Sequence, residues 1–440
     1  MRLFGTDGIR GKPWDEPLSR DTIVKVGYVV AKRYPRILIV RDTRGTGEDI
    51  EELLAYGISE AGGEAVSSGV LPTSSLAFLV PKFKFSAGIS ISASHNPFWD
   101  NGIKIIGPDG KKLSMFKEKE LEEEILALKL LRIENFSLKK EDYSEEYKKF
   151  LISRADVKFD GYRVILDSAN GASYRVAREV FSFLGANTED IGSSPDGRNI
   201  NITGATHPED LSWKVKSKNA QIGFAFDGDA DRCIWVDERG QILSGDHTLF
   251  LFASHYLETG RKWNRKVVGT VMSNLALEKK LEELGIEFIR AGVGDRIVLR
   301  EMEKTGAILG GEESGHTIFR EILPTGDGLL TSILILSTLK KRGEKASVWR
   351  RKLKFYPQLK ENIRVKERRP LEKLDGFKDV MEFIKKKYRN CYFIVRFSGT
   401  ESFLRVTVQG KSRERAKAAL EELSYKLKEI LKKENILSED

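Results

Sequence analysis

The sequence predicts an α/β protein: three similar α/β domains with mixed sheets, then a smaller C-terminal α+β domain. Strand-length β-branched runs alternate with amphipathic helical stretches three times before the order changes. Beyond Pro357 the pattern becomes strand, helix, strand, hairpin, strand and long helix. The chain has 440 residues, 40% of them hydrophobic, enough for several cores and more than two domains. Its boundaries are expected at 1–150, 151–248, 249–357 and 358–440.

In the first unit the spacing predicts a helix over 21–32, a strand over 36–40, a helix over 48–60 and a strand over 87–91. The second opens with a strand over 162–167 and a helix over 172–184. The third opens with a strand over 266–271 and a helix over 276–284. A long helix over 411–433 closes the chain, with residues 435–440 expected to fray. The charged stretch 117–124 reads as a solvated helix face.

Four polar segments interrupt this scaffold. The first is Ser92-Ala93-Ser94-His95-Asn96-Pro97, at the end of an apolar strand, where a turn holds the Ser94 hydroxyl clear of the sheet. Alone, it would pass for an ordinary solvated turn. The second is Asp227-Gly228-Asp229-Ala230-Asp231-Arg232, between two apolar strand-like runs. Three carboxylates at alternate positions repel one another unless a cation neutralises them, and all-oxygen ligands favour a hard ion such as Mg²⁺ over Zn²⁺. The strand-like flanks disfavour an EF-hand, leaving a metal site or an acidic hairpin turn.

The third segment, Gly310-Gly311-Glu312-Glu313-Ser314-Gly315-His316, offers carboxylate, hydroxyl and imidazole on a loosened backbone. Glu312, Ser314 and His316 suit sugar hydroxyls, although the segment reads equally as a polar loop. The fourth, Arg396-Phe397-Ser398-Gly399-Thr400-Glu401 with Arg405 beyond, reads as a phosphate cradle or as a hairpin turn with a surface Arg.

Other features exclude more than they assert. The formal charge is +9, but 74 Lys and Arg are interspersed with 65 Asp and Glu. No block of like charge is long enough for a nucleic-acid arm, and an anionic substrate accounts for a basic cleft equally well. Cys233 and Cys391 lie in apolar runs and read as buried thiols. With no leader-like or membrane-length apolar run, a cytoplasmic protein is expected, without membrane or nucleic-acid partners. Gly292-Val293-Gly294-Asp295-Arg296-Ile297 fails as a dinucleotide fingerprint because Ile297 stands where a small residue is needed.

Taken together and in order, the four segments resemble the α-D-phosphohexomutase family along essentially the whole chain. The resemblance implies four domains around a central cleft, each contributing one loop: phosphoserine, metal, sugar and phosphate. By motif position these hold Ser94; Asp227, Asp229 and Asp231; Glu312 and Ser314; and Arg396, Ser398, Gly399 and Thr400. Arg10 of Phe4-Gly5-Thr6-Asp7-Gly8-Ile9-Arg10-Gly11 would face the phosphoserine, and Arg232 would line the cleft. One Mg²⁺ per chain would bind the three aspartates together with Ser94.

The implied reaction passes a phosphoryl group from Ser94 to a sugar monophosphate through a bisphosphorylated hexose, which also serves as activator. Lys104, then His316, then His95 are the candidates for the attacking hydroxyl's proton. Segments 195–209, 293–296 and 325–328 liken the chain to the branch acting on glucosamine phosphates, with the mannose and glucose branch as the alternative. A phosphatase using Asp227 as nucleophile is the reading from another class. A monomer or a homodimer is expected.

Overall fold

The computed structural model describes residues 3–5, 7–129, 136–398 and 402–438. They divide into two compact units, one of residues 1–270 and 286–352, the other of 271–285 and 353–440. The larger unit contains three mixed sheets.

The first sheet has six strands, with Ala87–Ile91 between Arg36–Arg41, to which it runs parallel, and Asn101–Ile106, to which it runs antiparallel. Every residue of Ala87–Ile91 and Asn101–Ile106 is buried, so Lys104 must find its partners inside the protein. The helix Arg20–Arg33 shows how local chemistry sets these elements. The Ser19 side chain accepts from the Thr22 N–H, Asp21 lies in the first turn, and Lys32 and Arg33 complement the C-terminal dipole. Its apolar stripe, Ile23, Val26 and Val30, is buried in the first core with Ile37, Ile39 and Leu54.

In the second sheet Arg163–Asp167 runs parallel to Ile222–Phe226, which pairs antiparallel with Cys233–Asp237. The turn between the last two carries the aspartates. The third sheet aligns Lys266–Thr270 parallel to Glu287–Ala291 and to Leu309–Gly311, which turns back antiparallel into Thr317–Phe319. Glu312 to His316 form that turn.

The smaller unit has an antiparallel sheet with Phe403–Gly410 between Gln358–Arg364 and Cys391–Phe397. Leu404, Val406 and Val408 alternate inward, where they pack with Leu420, Leu423 and Leu427 of the helix Arg413–Lys433. The helix Leu275–Glu283 also belongs to this unit, joined by a hydrogen bond from the Leu275 N–H to Gln409 Oε1 at 2.7 Å. The expected 249–357 segment therefore gives residues 271–285 and 353–357 to the second unit.

Several expectations need correction. The helix expected over 172–184 begins only at Val176. The 117–124 stretch lies in the helix Met115–Ala127, which buries Glu118, Leu121 and Ile125, because a carboxylate satisfied by an arginine can be enclosed. Cys391 is only half-buried, whereas Cys233 is fully buried. The C-terminal segment does not fray at 435–438. Ile436 is buried and accepts a hydrogen bond from the Lys366 N–H at 2.8 Å, while Leu437 bridges to Val365. No helix among the described residues is long and apolar enough to cross a membrane.

Candidate active site

Beyond Ile91 the chain leaves the first sheet, and at Ser94 it adopts φ 51°, in the left-handed region. A side-chain-bearing residue there stores about 1–3 kcal/mol and needs surroundings that over-determine it. They are provided. The Ser94 N–H donates to Ser92 Oγ at 2.9 Å, and its carbonyl accepts from Arg44 and from Asn201 Nδ2, at 2.9 and 2.8 Å.

Arg44 is the pin of this loop. Fully buried, it pairs through Nε with Asp42 at 3.0 Å and donates to the carbonyls of Ser94, Asn96, Asp100 and Pro97. Asp42 in turn accepts from Ser92 Oγ at 2.5 Å. The Ser94 turn is thus built around one guanidinium.

Ser94 Oγ donates to Asp227 Oδ2 at 2.8 Å, bringing together the hydroxyl and the carboxylate cluster predicted from sequence. Gly228 allows this approach, since a Cβ there would meet the Ser94 carbonyl oxygen at 2.6 Å. Asp227, Asp229 and Asp231 are all buried, each offering a carboxylate oxygen within 4.8 Å of the others. Asp229 Oδ1 and Asp231 Oδ1 are enclosed without a hydrogen-bond partner. Burial first, then the charges of Asp231 and Asp229, pushes Asp227 up to about 8. Crowded, dry and partly unsatisfied oxygens of this kind fit a hard divalent cation.

Asp229 behaves differently. Burial would raise its pKa, but the Lys104 ammonium, 2.7 Å away, holds it below the usual carboxylate range, and Thr73 Oγ1 donates to it at 2.8 Å. Burial favours neutral Lys104, but Asp229 and Asp7, the latter at 3.0 Å, outweigh it and raise its pKa. Lys104 is therefore an ammonium here. Asp7 also pairs with Arg10 and Lys112, and Lys112 reaches Asp295 at 2.6 Å.

Arg232 stands 3.8 Å from Asp227 and 3.9 Å from Asp231. Its backbone bridges to His316, tying the aspartate turn to the Glu312 loop. His316 lies 3.9 Å from both Asp231 and Asp295, and neither buried ring nitrogen has a hydrogen-bond partner. Glu312 is buried and accepts from the Gly294 N–H at 2.9 Å, whereas Ser314 remains half-buried. Arg10 approaches the Ser94 turn through Asn96 Oδ1, at 3.5 Å. His95 is exposed, yet partial loss of water, followed by the Arg232 and Arg10 charges, lowers its pKa to about 4.

In the smaller unit Arg396 and Arg405 are cross-strand partners, with Asn362 on the other side of Arg405. They line a cavity of about 310 Å³ with Lys360, Thr407, Ile394 and Met272. Among the described residues no carboxylate lines it, as suits an anion. Ser398 is buried beside it in sequence, whereas Gly399 and Thr400 lie outside the described residues.

Sequence reasoning missed Asp7, Asp42, Arg44, Thr73, Lys112, Asn201 and Asp295. Asp7, Asn201 and Asp295 lie within the stretches 4–11, 195–209 and 293–296, and Asp42 and Arg44 follow the Arg36–Arg41 strand. For Asp42 and Arg44, position just after a strand is the sequence signal that points to them.

Comparison with known proteins gives a consistent result. Models described as phosphoglucomutase/phosphomannomutase, alpha/beta/alpha domains I, II and III, match residues 1–132, 141–240 and 244–355. The C-terminal domain model of the same series matches 361–424. The chain is 40% identical to a phosphoglucosamine mutase of Bdellovibrio bacteriovorus over 98% of each chain. It is 42% identical to that of Bacillus subtilis, covering 94% of this chain and 95% of the relative. Among solved structures, a phosphoglucomutase/phosphomannomutase family protein from Burkholderia thailandensis aligns with TM-score 0.78 and 24% identity, over 98% of this chain and 97% of the other. The Aspergillus fumigatus N-acetylphosphoglucosamine mutase in complex with GlcNAc-6P and magnesium aligns with TM-score 0.70 and 16% identity, over 98% and 96%.

Proposed function

The chain belongs to the phosphoglucomutase/phosphomannomutase family of phosphosugar mutases, and from that premise we propose that it interconverts glucosamine 6-phosphate and glucosamine 1-phosphate. One observation carries the chemistry: a serine hydroxyl on a pinned, left-handed turn, 2.8 Å from a buried carboxylate cluster. The sugar preference rests on the relatives at 40–42% identity, named as phosphoglucosamine mutases.

In the forward step Ser94 carries the phosphoryl group. The bond from phosphorus to Ser94 Oγ breaks as one to the sugar hydroxyl forms, giving a bisphosphorylated sugar. That intermediate turns over, and its other phosphate returns to Ser94. Arg44, Asn201 and Ser92 hold the serine in place through both transfers. Lys104 and Arg10 set positive charge on one side of the turn, and Arg232 sets it beside Asp227.

The proton of the attacking hydroxyl needs an acceptor. Lys104 is already protonated, and His95 with a pKa of about 4 is a weak base, which leaves His316 with its open ring nitrogens. Mg²⁺ held by Asp227, Asp229 and Asp231 would supply charge neutralisation for the phosphoryl oxygens. Glu312 and Ser314 read the sugar, and Arg396, Ser398 and Arg405, with Gly399 and Thr400, hold the phosphate that is not reacting. The four expected segments serve as the phosphoserine, metal, sugar and phosphate domains, in the cytoplasm.

Two measurements check this reading. Chelation with EDTA should lower turnover by about 10³-fold or more, with Mg²⁺ restoring it; full activity in chelator contradicts a cation at the aspartates. For the substrate, a charge-assisted contact to the amino group predicts a kcat/KM for glucosamine 1-phosphate about 10- to 100-fold above that for glucose 1-phosphate or mannose 1-phosphate. An advantage for either neutral sugar moves the chain to the other branch of the family.

A further inference from the structure

The segment Val293-Gly294-Asp295-Arg296 lies in the larger unit and plays no part in the transfer as described above. Gly294 has φ 121°, where a side chain is strained, and its N–H donates to Glu312 Oε1. The next two residues open the helix Asp295–Thr305, and each pairs with a residue of the stretch 112–118. Asp295 Oδ2 lies 2.6 Å from Lys112 Nζ. Arg296 grips Glu118 with both terminal nitrogens, Nη1 reaching Oε2 at 2.5 Å, and the Glu118 side chain is only 3% exposed. Further along the same helix, Glu303 pairs with Lys111 at 2.5 Å. The three paired charges on the helix, Asp295, Arg296 and Glu303, thus meet Lys112, Glu118 and Lys111.

The Lys111–Glu303 pair is exposed, but the other two pairs are enclosed, and enclosed pairs contribute little net stability while disfavouring registers that would leave their charges unpartnered. We propose that Asp295 and Arg296 form a latch that fixes the helix Asp295–Thr305 to the stretch 112–118, and through Gly294 sets Glu312 at a defined distance from Ser94. Both are positioning residues; the kinetic consequence rests on the reading of Glu312 as a sugar contact. The latch itself is a structural claim that holds without it.

The experiment compares the parent with Arg296→Gln and with the exchanged pair Arg296→Glu/Glu118→Arg. Amide hydrogen exchange across 309–317 reads the latch directly. It should quicken about tenfold or more in Arg296→Gln and return toward the parent rate in the exchanged pair. Steady-state kinetics read the positioning: misplacing a substrate contact by about 1 Å predicts a kcat/KM for glucosamine 1-phosphate about 100-fold lower in Arg296→Gln. The loss should appear at both KM and kcat and be partly recovered in the exchanged pair.

Unchanged exchange in Arg296→Gln overturns the latch whatever the activity. Quickened exchange with kcat/KM within twofold of an active parent overturns the positioning role. A parent inactive on every hexose phosphate refutes the proposed function, while the exchange rates still decide the latch. If Arg296→Gln fails to fold, the exchanged pair decides alone, parent-like exchange supporting the latch and faster exchange overturning it.

Discussion

Ser94→Ala should reduce mutase turnover by roughly 10⁴-fold or more while leaving sugar phosphate binding within a few-fold of the parent. The reason is chemical. Among the described residues, the two hydroxyls beside this cluster are not placed to replace Ser94 as the proposed carrier: Ser92 is buried and donates to Asp42, and the Thr73 hydroxyl is committed to Asp229 and Ser90. Asp227, the nucleophile of the phosphatase alternative, would keep its place in the variant. Retained turnover in Ser94→Ala would therefore favour the aspartate and remove the serine from the mechanism. Single-turnover kinetics with binding measured by calorimetry separate the two effects.

The second large effect is expected from a residue outside the reacting atoms. Arg44→Met keeps much of the side-chain volume but leaves Asp42 as an enclosed carboxylate without its cation, and four carbonyl groups lose a donor. Removing one partner of a buried pair costs about 3–5 kcal/mol, and the unsatisfied carbonyls act in the same direction. Thermal and denaturant unfolding should show a loss of that size. Lysine should not rescue it, because a single ammonium cannot reach Asp42 and four carbonyls in one plane. A loss below about 1 kcal/mol would mean that the turn is held by something other than this guanidinium.

These two residues mark the limits of what the sequence discloses. Ser94 was legible because its signal is local: strand, turn and hydroxyl are consecutive, and the aspartates likewise carry their pattern within five residues. The repeating strand and helix order was legible for the same reason, since burial follows periods of 2 and 3.6. Arg44 was not. Its partners lie at residues 94–100, about fifty positions away, and an arginine after a strand is ordinarily solvent-facing. Lys104 was noticed by position, but its pairing with Asp229, 125 residues away, and hence its protonated state, needed the fold. The grouping of 271–285 with the C-terminal unit was equally hidden, because hydrogen bonds from Leu275 to Gln409 and between Asn274 and Tyr356 leave no periodic trace. Long-range polar contacts have no period to read.

The phosphoenzyme is the point on which the account stands. Purified protein incubated with a hexose 1,6-bisphosphate should gain the mass of one phosphoryl group, and peptide mapping should locate it on Ser94. Adding glucosamine 6-phosphate should remove it with formation of the sugar bisphosphate. Phosphate found on Asp227, or turnover without any phosphorylated enzyme, would contradict the account.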